Sequence, residues 1–302
     1  MSSLSTLASA AMVAATVRAA VPYVLAAEGG VLAERSGVVT VALEGMMLSG
    51  AFASIAGALA SGSVAVGLAC ALLTGLCVGL LHAFFTQRLR VNGIVSGLAI
   101  NLAAAGGTRV LLRAFYGSSS NSPSLPTTDA HVAGVRWVVQ ALLAPTTLFA
   151  VAAAVALWWM LRRTRFGLRV RAAGESPGVL TAAGVSVTRV RTLATALGGA
   201  LAALGGAALA LEQRQFQSGM TGGRGFIALA AVVLATWRPL PALAACAGFA
   251  VLDALQVVLQ GESRSFEVVF QSLPYLATLV ALAFLARRGR GGAPRALGAV
   301  EE

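Results

Sequence analysis

Apolar runs recur along the whole chain, and their length constrains the fold more than any other feature. They lie at about Leu7–Ala27, Val38–Ala60, Ser63–Thr86, Val91–Leu112, Pro145–Leu161, Thr192–Leu211, Phe226–Trp237, Leu240–Leu259 and Leu273–Ala286. Most have the ~20 residues that a helix needs to cross a hydrocarbon core of ~30 Å. Phe226–Trp237 does not: a helix of that length reaches only about 18 Å, so this piece is broken, re-entrant or shielded by protein. Hydrophobic residues make up 58% of the 302 positions and charged ones 11%, whereas a soluble domain carries roughly 25% charged residues. The chain is therefore expected to be all-α, a polytopic membrane helix bundle of about 8–10 transmembrane helices that includes one broken or re-entrant segment. Residues 1–302 form a single transmembrane domain. The first run has no basic segment before it and is interrupted by Arg18 and Pro22, so it reads as a mature helix and not as a cleaved signal.

Charge supplies two exclusions and an orientation. All 22 cations are arginine, with no lysine. A P-loop needs its lysine to hold nucleotide phosphates, so this chain has no such site. The net charge of +11 does not point to nucleic acid, because the arginines flank apolar spans, where cytoplasmic loops collect them. Seven arginines (162, 163, 165, 169, 171, 189 and 191) share the loop at about 162–191 with one acid, Glu175. Arg287, Arg288, Arg290 and Arg295 mark the tail at about 287–302, and Arg88 and Arg90 mark a short connection. All three regions are expected in the cytoplasm, and the Ser-, Pro- and Asn-rich stretch Tyr116–Thr128 outside. These assignments agree only if Phe226–Trp237 counts as a crossing. That gives nine crossings with the N-terminus outside; one more near residues 28–50 would place it inside.

Polar groups inside the spans are few. Glu44 falls six residues into a helix that starts near Val38, about 9 Å deep. A carboxylate there lines a cavity, or it caps the backbone N–H groups of a discontinuous helix with Gly45 providing the break. Asn92 and Ser96 share a helical face, while Asn101 lies on the opposite one; interhelical hydrogen bonds explain them as well as substrate contact does. Asp253 and Gln256 share a face in the same way. Phe226, at the head of the short span, completes the set of candidate pathway residues. Cys70, Cys77 and Cys246 read as packed apolar groups, and His82 and His131 form no metal spacing. No metal site, and no catalytic constellation of Ser, His and acid, is recognisable. Gly219-Met-Thr-Gly-Gly-Arg-Gly225 follows no strand, so it reads as a glycine-rich approach to the short helix and not as a nucleotide loop. Pro239 and Pro241 are expected to end that helix. Gly75 and Gly79, Gly93 and Gly97, and the cluster Gly198, Gly199, Gly205 and Gly206 read as places where helix backbones approach closely.

Four blocks in order resemble the permease subunits of bacterial ABC importers for branched-chain amino acids, ribose and nucleosides. They are Glu34-Arg-Ser-Gly-Val-Val-Thr-Val-Ala-Leu-Glu-Gly-Met-Met-Leu-Ser-Gly-Ala-Phe52, Val91-Asn-Gly-Ile-Val-Ser-Gly97, Arg163-Thr-Arg-Phe-Gly-Leu-Arg-Val-Arg-Ala-Ala-Gly-Glu-Ser-Pro177 with Ala182-Ala-Gly-Val185, and Gly225-Phe-Ile-Ala-Leu-Ala-Ala231. The likeness spans about Pro22 to Leu285 and is nearest to the nucleoside and simple-sugar branch. It implies a multi-pass protein of the bacterial inner membrane, translocating a nucleoside or simple sugar by alternating access. The implied partners are a second homologous permease, a cytoplasmic ATPase and a periplasmic or lipid-anchored substrate-binding protein, with lipid around the spans. The chain itself would hold no cofactor, ATP and Mg being bound by the partner ATPase. The resemblance also makes the arginine-rich loop the docking element for that ATPase, through Phe166, Gly167, Arg171, Gly174, Glu175, Pro177, Ala182, Ala183 and Gly184. The residues themselves allow a two-turn helix over Pro177–Gly184 capped by Ser176. The competing readings are a secondary transporter driven by an ion gradient, with Glu44 as its proton or cation site, and a membrane-embedded enzyme.

Overall fold

The computed structural model describes residues 10–126, 141–260, 283 and 292–299. Among these the helices run in the order Ala10–Arg35 (α1), Leu43–Ser61 (α2), Val64–Ala83 (α3, continued by a π-turn to Arg88), Gly93–Tyr116 (α4), Pro145–Arg163 (α5), Arg165–Glu175 (α6), Pro177–Ala182 (α7), Val187–Gln213 (α8), Arg224–Leu234 (α9) and Pro239–Gln260 (α10). The described residues form no strand beyond one isolated bridge, Asn121 to Gln217. Among the described residues six helices are long and apolar enough to cross a membrane: α2, α3, α4, α5, α8 and α10. With 26 residues α1 is about 39 Å long, but Arg18, Glu28, Glu34 and Arg35 lower its hydropathy. The expected run Leu273–Ala286 lies, except for residue 283, outside the described residues, as does His131.

The central pillar is α8. Of its most apolar stretch 78% is buried, against 22% for α3, and it packs on α1, α2 and α3. Its glycines make this possible. A β-carbon on Gly198 would stand 2.5 Å from the Gly29 carbonyl oxygen of α1, and one on Gly199 would stand 2.5 Å from the Gly75 carbonyl oxygen of α3. At Gly206 it would overlap the Met47 carbonyl of α2. Lipid tails are as apolar as leucine, so helices in a bilayer associate by such close packing. The outer faces of α3, α4 and α5 leave large apolar side chains exposed, among them Leu73, Leu102, Val110 and Val155.

The arginines orient the bundle. Arg35, Arg88, Arg90, Arg162, Arg163, Arg165, Arg189 and Arg238 stand at or beside the ends or starts of helices on one face, which is the cytoplasmic face by the positive-inside rule. Helix α1 descends to that face from outside. Helix α10 leaves it, and residues 292–299 lie against it, with Ala296 N–H donating to the Gly174 carbonyl (2.8 Å) and Gly298 N–H to the Gly37 carbonyl (2.9 Å).

Two crossings are interrupted. Gly37 turns the chain with φ +99°, and the β-branched run Val38-Val39-Thr40-Val41 then climbs without helical structure as far as Ala42. It runs beside α4, with Val39 against Gly93 and Val41 against Gly97. From the outer side, residues 214–223 bond to the loop after α4, through Ser122 N–H to Phe216 and Leu125 N–H to Arg214. Only at Arg224 does α9 begin, and its 11 residues reach about 16 Å.

Several expected boundaries are corrected by these features. Glu28, Glu34 and Arg35, which fall between the apolar runs Leu7–Ala27 and Val38–Ala60, continue α1, with Glu28 and Glu34 buried. The second span begins its helix at Leu43 and not near Val38, so Glu44 sits in the first turn. The prolines do not end α9: Thr236 and Trp237, at φ +51° and +55°, turn the chain, and Pro239 and Pro241 fall in the first turn of α10, where a missing N–H costs nothing. The Ser176 side chain makes no cap bond to α7; its carbonyl instead accepts from Val179 N–H at 3.1 Å. Cys77 is exposed on α3, not packed.

Candidate functional site

The two interruptions meet at Glu44. Its Oε1 accepts from the Thr221 hydroxyl at 2.6 Å and the Gly223 N–H at 2.9 Å, and its Oε2 accepts from the Gly225 N–H at 2.7 Å. These are orphan donors at the start of α9, whose own N-cap residue, Gly223 at φ +85°, has no side chain to offer. A carboxylate also suits the positive end of a helix. Gly225 has no room for a side chain: a β-carbon there would lie 2.5 Å from the Glu44 backbone. Glu44 thus caps a helix distant in sequence while remaining half-buried.

The other end of α9 is held by a second carboxylate. Glu34 Oε2 accepts from the Trp237 indole N–H at 2.5 Å, and Oε1 accepts from the Thr40 N–H at 3.3 Å. One buried side chain thereby ties the end of α1 to both interrupted segments. Glu34 falls between two apolar runs in the sequence; its partner is 203 residues away, and nothing local announces the pair.

The remaining polar groups satisfy the unwound backbone. Asn101 donates from Nδ2 to the Val41 carbonyl at 3.0 Å and accepts at Oδ1 from the Gly45 N–H at 2.7 Å, spanning the break before α2. His82 bonds through Nε2 to the Val39 carbonyl at 3.0 Å and through Nδ1 to the Ser96 hydroxyl at 2.9 Å. A carbonyl only accepts, so Nε2 carries the proton and Ser96 donates to Nδ1 in the neutral ring. Irregular backbone at membrane depth requires such partners. Of the candidate pathway residues, Glu44 and Asn101 converge on the first turn of α2. Asn92 lies apart, capping α4 at its cytoplasmic end by accepting from Ile94 N–H at 2.9 Å. Ser96 is buried on His82, and Phe226 points outward from α9, 43% exposed. Asp253 of α10 pairs with Arg224 at 3.2 Å.

The arginine-rich loop folds into α6 and α7. Thr164 caps α6 by accepting from Gly167 N–H at 3.0 Å, and Gly167 and Gly174 press against the backbones of Met160 and Arg35. Phe166 packs toward the core. Glu175 pairs with Arg35 at 3.3 Å. Arg171 is half-buried, while Pro177 opens α7 and Ala182, Ala183 and Gly184 lie exposed. Gly184 turns at φ +74° into open space. Leu168 and Val179 expose 60% and 68% of their surface on the face that water bathes, not lipid.

Comparison with known proteins decides the family. A model described as branched-chain amino acid transport system / permease component matches residues 12–283. The chain belongs to this permease family. It is 32% identical to the guanosine ABC transporter permease protein NupQ of Bacillus subtilis, over 95% of both chains. It is 33% identical to the nucleoside ABC transporter permease protein NupC of Lactococcus lactis, over 92% of both. A putative glucose ABC transporter permease protein, TsgC13 of Haloferax volcanii, is 32% identical over 91% of both. The chain is a multi-pass permease subunit of an ABC importer in the inner membrane. As a permease subunit it is a translocator and not itself an enzyme.

Proposed function

We propose that this permease carries nucleosides inward, driven by a separate cytoplasmic ATPase that docks on α6 and α7. The observation that carries the substrate class is likeness over nearly the full length, 95% and 92% of both chains, to relatives named for guanosine and for nucleosides. The glucose-named relative at 91% coverage supports a simple sugar as the second reading. In this account ATP and Mg bind the partner ATPase, and the permease holds no cofactor. A second, homologous permease completes the pathway, and a periplasmic or lipid-anchored binding protein delivers the solute.

The docking surface follows from exposure. Among the described residues Leu168 and Val179 stand in water, largely exposed, and a contacting surface removes that apolar area from solvent. Around them Gly167 and Gly174 let α6 lie flush on α5 and α1. When the ATPase closes, α6 and α7 move, and the helices rock to open the cavity to the other side. Glu44 and Asn101, which meet at the first turn of α2, are the residues we assign to the gating break of the pathway. Uptake of radiolabelled guanosine and glucose by cells carrying or lacking the chain tests the substrate. Guanosine uptake that is lost on deletion and competed by other nucleosides supports the assignment; glucose uptake alone replaces it with the sugar reading.

A further inference from the structure

Arg191, near the start of α8, is 1% exposed. Its guanidinium donates to carbonyls on three separate segments: Nε to Ser36 at 3.1 Å, Nη2 to Ala173 at 3.2 Å and Nη1 to Ala299 at 3.2 Å. Ser36 closes α1 just before the extended run 38–42. Ala173 lies in the last turn of α6. Ala299 belongs to the C-terminal segment, in which Pro294 and Ala296 are buried.

That segment adds its own bonds to the same two places. Ala296 donates to the Gly174 carbonyl at the end of α6, and Gly298 donates to the Gly37 carbonyl (2.8 and 2.9 Å). Both glycines of the second bond are left-handed, at φ +99° and +75°. Gly37 lies directly under the guanidinium, and a β-carbon on it would come 3.0 Å from Nη2. The ion pair between α6 and α1, Arg35–Glu175, is half-exposed, and solvent weakens it.

A guanidinium is always charged, and burying one is costly unless its donors are met. Its planar fork then fixes the relative placement of every group it holds. Here those groups are the end of the coupling helix, the elbow of α1 and the C-terminal segment.

We propose that Arg191 and residues 294–299 form the linkage that carries movement of α6 to the interrupted crossing, through Ser36 and Gly37 into the run 38–42 and so to the first turn of α2. This rests on the reading of α6 and α7 as the ATPase dock. In it, the C-terminal segment is a working part of the transporter, and Arg191 is a positioning residue that touches no solute.

The test uses the whole complex, purified from its host with its partner subunits and reconstituted in vesicles, with tritiated guanosine and radiolabelled glucose offered together. Uptake and ATP hydrolysis are measured on the same sample. The double variant Ala296→Pro/Gly298→Pro removes both N–H donors of the segment and changes no spanning residue. Arg191→Lys keeps the charge and loses the fork. Glu175→Ala/Gly184→Pro serves as the docking control. Solute moved per ATP is expected to fall about fivefold or more in the first two variants, with hydrolysis, assembly and thermal midpoint close to wild type. Unchanged solute per ATP in the Ala296/Gly298 variant, with the docking control uncoupled, overturns the linkage and leaves the docking reading standing. If the docking control is also unchanged, or if wild type takes up neither solute, the reading beneath the linkage fails with it. Should Arg191→Lys not assemble, the Ala296/Gly298 variant decides alone, and a parallel loss of midpoint and uptake there marks a structural brace and overturns the proposal.

Discussion

The Glu44 carboxylate receives the Gly225 N–H at 2.7 Å, so a side chain in the first turn of α2 caps a helix that begins about 180 residues later in the sequence. With Glu34 on Trp237 at the far end, the half-crossing α9 is held between two carboxylates from two different helices.

Removing the cap should cost stability in proportion to the donors left orphaned. Glu44→Ala strands the Thr221 hydroxyl and the N–H groups of Gly223 and Gly225, and the expected loss is about 3 kcal/mol. Glu44→Gln retains an acceptor oxygen and should lose about 1 kcal/mol. Thermal unfolding in detergent ranks the two. Equal midpoints for both variants and wild type would remove the capping role. Impaired transport by Glu44→Gln at an unchanged midpoint would instead assign the carboxylate to the pathway.

Glu34 and Trp237 should be energetically coupled. Trp237→Phe keeps most of the ring and removes the indole donor, leaving Glu34 with only the Thr40 N–H. A double-mutant cycle with Glu34→Gln is expected to give a coupling of about 1.5–3 kcal/mol. Additive single effects would mean that the bond holds nothing together.

The glycines of α8 are not interchangeable with Gly106 and Gly107 of α4. Gly206→Ala places a methyl in the Met47 carbonyl and Gly198→Ala one against Gly29, so each should destabilise by about 1–3 kcal/mol. Gly107→Ala meets nothing within 4 Å and replaces a poor helix former in mid-helix, for an expected gain of up to about 1 kcal/mol. Thermal midpoints of the three variants check the contrast.

The loop α6–α7 should transmit, not bind solute. Substituting Glu175 and Gly184 together is expected to separate ATP hydrolysis from transport while the protein stays in the membrane. Unchanged uptake by that double variant would remove the docking assignment.

The spans, the short crossing and the arginine-rich face were legible because each rests on a local signal: run length, a run too short to cross, or charge beside a run. The start of α2 was not, since Val38–Ala42 is as apolar as the helix it precedes; only its β-branched residues hinted at extended backbone. Both roles of Glu44 were visible as options, but its partner donors come from the Gly-rich stretch 219–225, and no spacing joins the two. Glu34, His82 and Arg191 escaped for the same reason. His82 and Arg191 bond to backbone far away in sequence, which leaves no trace in composition, and Glu34 bonds to an indole 203 residues away. Residues 294–299 read as part of a cytoplasmic tail, and what seats them is two N–H groups, the Arg191 guanidinium and a buried proline.

The account stands or falls on what drives uptake. The direct measurement is guanosine entry into vesicles bearing the complex purified in mild detergent, with ATP supplied to the ATPase side and an ionophore collapsing every ion gradient. Uptake that needs ATP, survives the ionophore and accompanies a co-purified ATPase and second permease is the predicted result. Uptake by the chain alone that ignores ATP and vanishes with the ionophore would contradict it and make this protein a gradient-driven carrier.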